Sequence, residues 1–405
     1  MDNLIKRAVS RVTSDPAILA LVDALVFRLV ARTNVAAKWN VLIAAPGAGN
    51  IGDQAMFEAF LENASGPVAL IVRDVGDVHV SSVNAERVTV FPLASLIYGG
   101  GISHVRDVVT FRKILMYAKS LSIVGADIMD GAYNYRASVN RSTLARLTQE
   151  LGINTRILGF SWNGRADRRA RAALSAASAS GVALFLRDPI SAERARNDGL
   201  SNVVAAADTV FSATEVSADG IDVLVPGLSG ASYALVNASA LIGKTVDQLV
   251  EYREIIAHLR RHGISVVLLP HVARGQGGDI NACRQIYESV AGENIFMVDK
   301  LLSPAQVRTL SGGARLVITG RMHLAIISLS NAVPAITLAT QGKVEGLMRL
   351  FGIPTMCVVP KKGFSDDVIR ATDEILMAPN EDPINISGSL AQVKALSKMN
   401  FSGLN

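Results

Sequence analysis

The chain has 405 residues, with 40 Lys and Arg against 35 Asp and Glu for a net charge of +5, and half of it is hydrophobic. That length exceeds what one hydrophobic core fills, so two domains are expected. Only 5% of residues are aromatic and the cations are dispersed rather than in blocks, which argues against a nucleic-acid platform and toward anionic ligands or a membrane surface.

Cys283 and Cys357 lie far apart without metal-type spacing, a usage that speaks against a disulfide scaffold or zinc site and suits a reducing cytoplasm. The first segment, residues 1–40, is read as helical. Its apolar stretch, residues 16–31, follows Asp15, contains Asp23 and Arg28, and falls short of the ~20 apolar residues a membrane span needs. It is expected to pack on the first domain, with association at a membrane surface, on its inner face, as the alternative. Without a secretory leader, the Asn-X-Ser triplets at Asn63, Asn140 and Asn237 carry no glycosylation meaning.

From Val41 onward, short β-branched runs alternate with helical segments, the pattern of wound parallel sheets. Strands are predicted over residues 41–45, 68–72, 88–91, 121–124, 156–160 and 182–186, and an Arg/Ala/Ser-rich helix over 165–180. A polar, small-residue interruption at residues 216–220 sets the boundary between a first domain, 41–215, and a second, 216–385, with a tail over 386–405. Second-domain strands are predicted over 221–225, 264–269, 295–298, 316–319, 335–338 and 356–359. Thr245 with Gln248 reads as a capping box opening a helix that stops at Gly263. Two such α/β halves imply two Rossmann-like domains facing across a cleft, with ligands at the carboxyl edges of the strands.

Gly47-Ala-Gly-Asn-Ile-Gly52 follows the first strand and opens a helix, with Asp74 at the end of the second strand, a pattern that fits a dinucleotide fingerprint. Asp53 argues against it, because an acid at the helix N-terminus competes with a pyrophosphate for the same donors. Asn50 and Asp53 are read instead as facing a hydroxylated ligand, or Asp53 as a helix cap.

A second corner is richer in cations. Residues 315–319 form a strand, Gly320 turns the chain, and a helix follows, so Arg321 and His323 sit at a helix N-terminus where anions are favoured. The next strand delivers Lys343 through the Gln341-Gly342 corner. An arginine, a histidine and a lysine at the carboxyl ends of adjacent strands make an anion site.

Together, Gly49-Asn-Ile-Gly-Asp-Gln-Ala55, Gly125-Ala-Asp-Ile-Met-Asp-Gly131, Phe185-Leu-Arg-Asp-Pro-Ile-Ser191, Ala207-Asp-Thr-Val-Phe211, Leu269-Pro-His271 with Asp279, and Thr319-Gly-Arg-Met-His323 through Lys343 resemble the polysaccharide pyruvyl transferase family. The resemblance implies a GT-B-like fold and transfer of a pyruvyl group from phosphoenolpyruvate to two hydroxyls of a saccharide or glycolipid sugar, giving a cyclic ketal. By the same resemblance Arg187, Arg321, His323, Lys343 and the backbone of Met322 hold the donor. Three positions depart from the family pattern, Gln54, Gly125-Ala126 and Gln341, and they bear on the acceptor rather than the donor.

A donor bearing a carboxylate and a phosphate needs several converging cations, which Arg187, Arg321 and Lys343 supply. No Asp/Glu pair with metal-site spacing accompanies them, so no metal and no cofactor is expected. His323 is the candidate general acid, or else a phosphate ligand. Asp53 is the foremost candidate base among Asp53, Asp127, Asp130 and Asp208, each of which equally suits a cap or turn. Asn50, Asp53, Asp127, Asp130 and His271 are expected on the acceptor side, and the loop over residues 275–278 between His271 and Asp279 as a cover. A nucleotide-sugar-dependent glycosyltransferase and a non-catalytic anion-binding protein are the competing readings.

Overall fold

The computed structural model describes residues 15–30, 36–228, 230–275, 278–290, 292–339, 342–378 and 385–404. Gln276, Gly277 and Gln341 lie outside these.

Two all-parallel sheets carry the fold. The first contains β1 (Trp39–Ile43), β2 (Val68–Val72), β3 (Val88–Pro92), β4 (Ala118–Ala126), β5 (Asn154–Phe160), β6 (Ala183–Leu186) and β7 (Val203–Ala205), in the order β3-β2-β1-β4-β5-β6-β7. The second contains β8 (Tyr233–Asn237), β9 (Ser265–Leu268), β10 (Ile295–Met297), β11 (Leu316–Thr319), β12 (Ala335–Leu338) and β13 (Cys357–Val358), in the order β10-β9-β8-β11-β12-β13. In each, strand order reverses beside the first strand, at β1/β4 and β8/β11, and such a switch point opens a crevice at the carboxyl edge. The strands are continuous Val, Ile, Leu and Ala runs because both faces are covered; every residue of β2, β8, β9, β11 and β12 is buried.

Two of the expected elements are corrected. Residues 221–225 hold a short helix, Ile221–Leu224, rather than a strand, and β8 is the first strand of the second sheet. Gly220 enters this helix in the left-handed conformation, and Val223 is exposed, so the Ile-Asp-Val-Leu run has no sheet face to bury. The helix expected to open with Thr245 opens at Gln248, capped by Asp247, whose carboxylate accepts from Leu249 N–H at 3.1 Å; Gln248 donates to the Ser239 carbonyl instead. The three-residue edge strand β7 went unforeseen for want of length.

The chain divides into two compact units, and neither is contiguous. Unit 1 comprises the described residues of Met1–Pro46, Phe60–Thr209 and Lys398–Asn405; unit 2 comprises Gly47–Ala59 and Val210–Ser397. The expected boundary at 215/216 thus moves to Thr209/Val210, the glycine-rich turn joins unit 2, and the end of the tail returns to unit 1.

In unit 1, helix Pro16–Leu29 is capped by Asp15, which accepts from Ala17 N–H at 2.9 Å. Asp23, on its inner face, is fully buried 2.8 Å from His104 Nε2, so the helix is fastened to helix Gly101–Leu115 by a polar pair as well as by Val26 and Phe27 in the core. Ile18, Leu21, Leu25 and Leu29 form an exposed stripe on its outer face. The tail segment is tied by Arg156, whose Nη1 donates to the carbonyls of Asn400 and Ser402 at 3.1 and 2.7 Å. Asn400 in turn accepts from Gly159 N–H and donates to the Ala207 carbonyl. Burial pushes the Arg156 guanidinium down to about 10.

Candidate active site

The switch point of unit 2 is where side chains gather. Asn237 ends β8 and Thr319 ends β11, and the Thr319 hydroxyl donates to Asn237 Oδ1 at 3.3 Å while accepting from Arg321 N–H at 2.9 Å. Gly320 permits the turn because a Cβ there would fall 2.7 Å from Ser239 Cβ. Arg321 caps helix Met322–Ser330 without a side-chain cap bond, so that helix opens directly after the carboxyl end of β11.

Asp279 organises the cluster. It is fully buried and accepts from Arg321 twice, Nε at 2.9 Å and Nη2 at 2.6 Å, in the bidentate geometry of an arginine fork. It also accepts from Ala240 N–H and Val272 N–H at 3.0 Å, and from His271 N–H and Asn237 Nδ2 at 3.3 Å. One carboxylate therefore fixes the guanidinium and the backbone of residues 271–272 together. His271 is buried with neither ring nitrogen hydrogen-bonded among the described residues. Desolvation first, then the electrostatic influence of His323 and of Arg321, holds its pKa well below the ordinary imidazole value, so it is neutral at pH 7.

The glycine-rich turn completes the site, and its glycines serve packing. Asn50 forms an antiparallel bridge with Val272, and Ile51 N–H donates to the His271 carbonyl at 3.2 Å. Gly49 has φ of +70°, and a Cβ there would meet the Ala273 carbonyl at 2.3 Å; a Cβ on Gly52 would lie 2.2 Å from His323 Nδ1. Asn50 Oδ1 accepts from Gly52 N–H, which holds the turn, and Asp53 pairs with Arg274 at 2.8 Å. The dinucleotide-like spacing thus reflects backbone pressed against the His271–Ala273 strap and the His323 ring. Lys343 opens helix Lys343–Phe351 beyond the carboxyl end of β12, the neighbour of β11.

Some expected residues fall elsewhere. Arg187 is buried in unit 1, its Nη1 donating to Asp208 and its Nε to the Ser161 hydroxyl, both at 2.8 Å; its charge and that of Asp208 offset one another, which removes Asp208 as a free base. Asp130 Oδ1 accepts from Ala132 N–H, a turn-stabilising role, and Asp127 accepts from the Tyr133 hydroxyl at 3.1 Å. Asn50 and Asp53 belong with Arg321 and His323 in unit 2, not with Asp127 and Asp130 in unit 1. Asp279 was read only within the resemblance and as a flank of the covering loop, and Arg274 was not read at all. An acid in the first turn of a helix and an arginine in a Gly-rich loop both carry ordinary surface readings, and only the fold brings them to Arg321 and Asp53. Cys283, beside this cluster, is no nucleophile: burial pushes its thiol up to about 12.

The sequence model of polysaccharide pyruvyl transferases matches residues 50–342. The chain belongs to the polysaccharide pyruvyl transferase family. The match spans both units and includes the glycine-rich turn from Asn50 onward, the Asp279 strap and the Arg321–His323 corner. No curated protein sequence matches the chain. Among solved structures, it is similar to the UDP-GlcNAc 2-epimerase of Methanocaldococcus jannaschii, at 11% identity and TM-score 0.55 over 88% of this chain and 98% of that one. A putative UDP-N-acetylglucosamine 2-epimerase of Listeria monocytogenes gives 9% identity and TM-score 0.57 over 90% and 94%. The sucrose-phosphate synthase of Thermosynechococcus elongatus gives 13% and 0.55 over 89% and 94%. These likenesses establish a GT-B-like fold of two Rossmann-type units. Among the described residues no helix is long and apolar enough to cross a membrane.

Proposed function

We propose that this pyruvyl transferase takes phosphoenolpyruvate as donor and forms a cyclic ketal on two hydroxyls of a saccharide or glycolipid sugar, releasing phosphate. The observation that carries the reading is the Asp279-anchored Arg321 beside His271 and His323, at the head of a helix and at the switch point of unit 2. With two of its nitrogens on Asp279, Arg321 turns its remaining donors and the helix N–H groups of Met322 and His323 toward the donor's acidic groups, and Lys343 adds a mobile charge. The site binds its donor without a metal or cofactor.

A proton delivered to C3 of the enol ether by His323 makes C2 electrophilic. A sugar hydroxyl attacks C2 and gives up its proton; the C2–O bond to phosphate then breaks, and a neighbouring hydroxyl closes the ring and loses its own proton. Of the two imidazoles, burial keeps His271 neutral, which leaves the half-buried His323 as the one placed to carry the proton. Asp53, held by Arg274, orients an acceptor hydroxyl, with Asn50 beside it. The exposed stripe on helix Pro16–Leu29 suits an acceptor presented at a membrane surface.

The test is incubation with labelled phosphoenolpyruvate and a panel of saccharides and glycolipids, following inorganic phosphate and, by mass spectrometry, product mass. In His323→Gln, turnover is expected to be lost while donor affinity measured by calorimetry is retained. Loss of both in parallel would reassign His323 to donor binding, and nucleotide-sugar turnover in place of phosphate release would sink the reading.

A further inference from the structure

We infer that unit 1 contains a second anion site, a cavity at the carboxyl ends of β1 and β2 in which Arg141 receives a carboxylate or phosphate group of the ligand bound to that unit. Arg141 lies on helix Tyr135–Glu150 and is 1% exposed. Its Nη2 donates to the Tyr98 hydroxyl at 2.5 Å and its guanidinium sits over the Tyr98 ring, 5.2 Å from the centroid. Its Nε has no hydrogen-bond partner among the described residues, and no carboxylate is paired with it there.

A nitrogen with no hydrogen-bond partner among the described residues is shared with the buried Arg112, Arg156 and Arg308, but two buried arginines have stronger acceptors than a hydroxyl. Arg187 has Asp208 and Arg156 has two carbonyls of the tail. A buried guanidinium whose partners are one hydroxyl and one aromatic face is a charge removed from water with little compensation, which is costly unless a ligand supplies the missing acceptors. Arginine's donors stand in a planar fork that matches the two oxygens of a carboxylate or phosphate.

The surroundings agree. Arg141 lines a cavity of roughly 290 Å³, mouth included, together with Ala44 and Pro46 after β1, Val72 and Arg73 at the end of β2, and Tyr98. Among the described residues no acidic side chain lines it. Arg73 is held at the rim by Asp77, at 2.8 Å. The remaining walls are aliphatic, so a bound anion would be attracted through a low dielectric. The enclosed part is only about 20 Å³, too small for a whole ligand and enough for a single small acidic group. β1 also flanks the switch point of its sheet, where a ligand of this fold is expected.

Naming that ligand as the acceptor, a sugar bearing a phosphate or a uronic-type carboxylate, rests on the transferase reading; the anion site itself does not. The test therefore omits donor and acceptor and uses the full chain labelled with 15N-arginine, titrated separately with inorganic phosphate and acetate. The Nε–H signal of Arg141, assigned by its loss in Arg141→Lys, is expected to shift saturably with at least one anion. Which anion saturates it distinguishes a phosphate from a carboxylate ligand. The shift is expected to survive in Arg321→Gln and to vanish in Ala44→Glu, which places a carboxylate in the cavity wall without altering Arg141. A linear, unsaturated drift matching that of exposed arginines, or a saturable shift that persists in Ala44→Glu, overturns the proposal. Failure of phosphoenolpyruvate turnover would leave this result untouched.

Discussion

Replacing Asp279 by Asn tests whether one carboxylate aims the arginine of the donor site. Asn presents one acceptor oxygen where Asp presents two, so one of the two hydrogen bonds to Arg321, at 2.9 and 2.6 Å, is lost and the other no longer meets a carboxylate. A hydrogen bond to a charged group contributes about 1.5–3 kcal/mol, so the loss of one costs about 2 kcal/mol while the side-chain shape is kept. For a unit of this size that corresponds to a fall of about 4–8 °C in unfolding midpoint. The same loss frees Arg321 to rotate, and ~1.4 kcal/mol of misaligned binding is a tenfold drop in affinity. Expected, then, are a lowered midpoint by calorimetry and phosphoenolpyruvate affinity reduced at least tenfold at fixed salt. A variant with reduced stability and unchanged donor affinity would refute the reasoning, because Asp279 would then only brace the backbone of residues 271–272 and 240.

Three further outcomes are expected. Gly52→Ala forces a Cβ onto His323 Nδ1 and displaces the ring, so kcat should fall roughly a hundredfold, the scale of a misplacement of about 1 Å, with donor affinity reduced far less; wild-type kcat would count against His323 as the acid. His271 has a folded pKa below its unfolded value, so the unfolded chain binds more protons below about pH 6.5, and the stability conferred by the neutral ring is full above that pH and lost as pH falls. Chemical denaturation of wild type should show up to about 1.4 kcal/mol lost per pH unit there, a slope that His271→Leu flattens; equal slopes would mean that His271 is hydrated. Leu21→Asp with Leu25→Asp should abolish flotation with anionic vesicles without changing the unfolding midpoint, as both side chains are exposed; unchanged flotation would remove this stripe from any membrane role.

Much of the architecture was legible because parallel strands buried on both faces must be unbroken apolar runs: β2 and β11 fall on the residues the sequence indicates. The run at Ile221 misled for the same reason, since four apolar or mixed residues carry no sign of whether a sheet face awaits them, and β8 lay hidden behind it. In the site, Arg321 and His323 could be read because a strand, a glycine and a helix in succession define a corner. The tie between Asp279 and Arg321 could not, because its two hydrogen bonds span a long separation in sequence. The glycine-rich turn was legible as a special turn but not as a member of unit 2, since local spacing does not reveal what a turn packs against.

The return of Lys398–Asn405 to unit 1 bears on how the protein is made. The clasp that Arg156 and Gly159 form with Asn400 can close only after all of unit 2 has emerged from the ribosome, so during synthesis the first sheet waits with a buried arginine and a backbone amide unanswered. An N-terminal fragment cut at Thr209 should therefore be a poor folding unit.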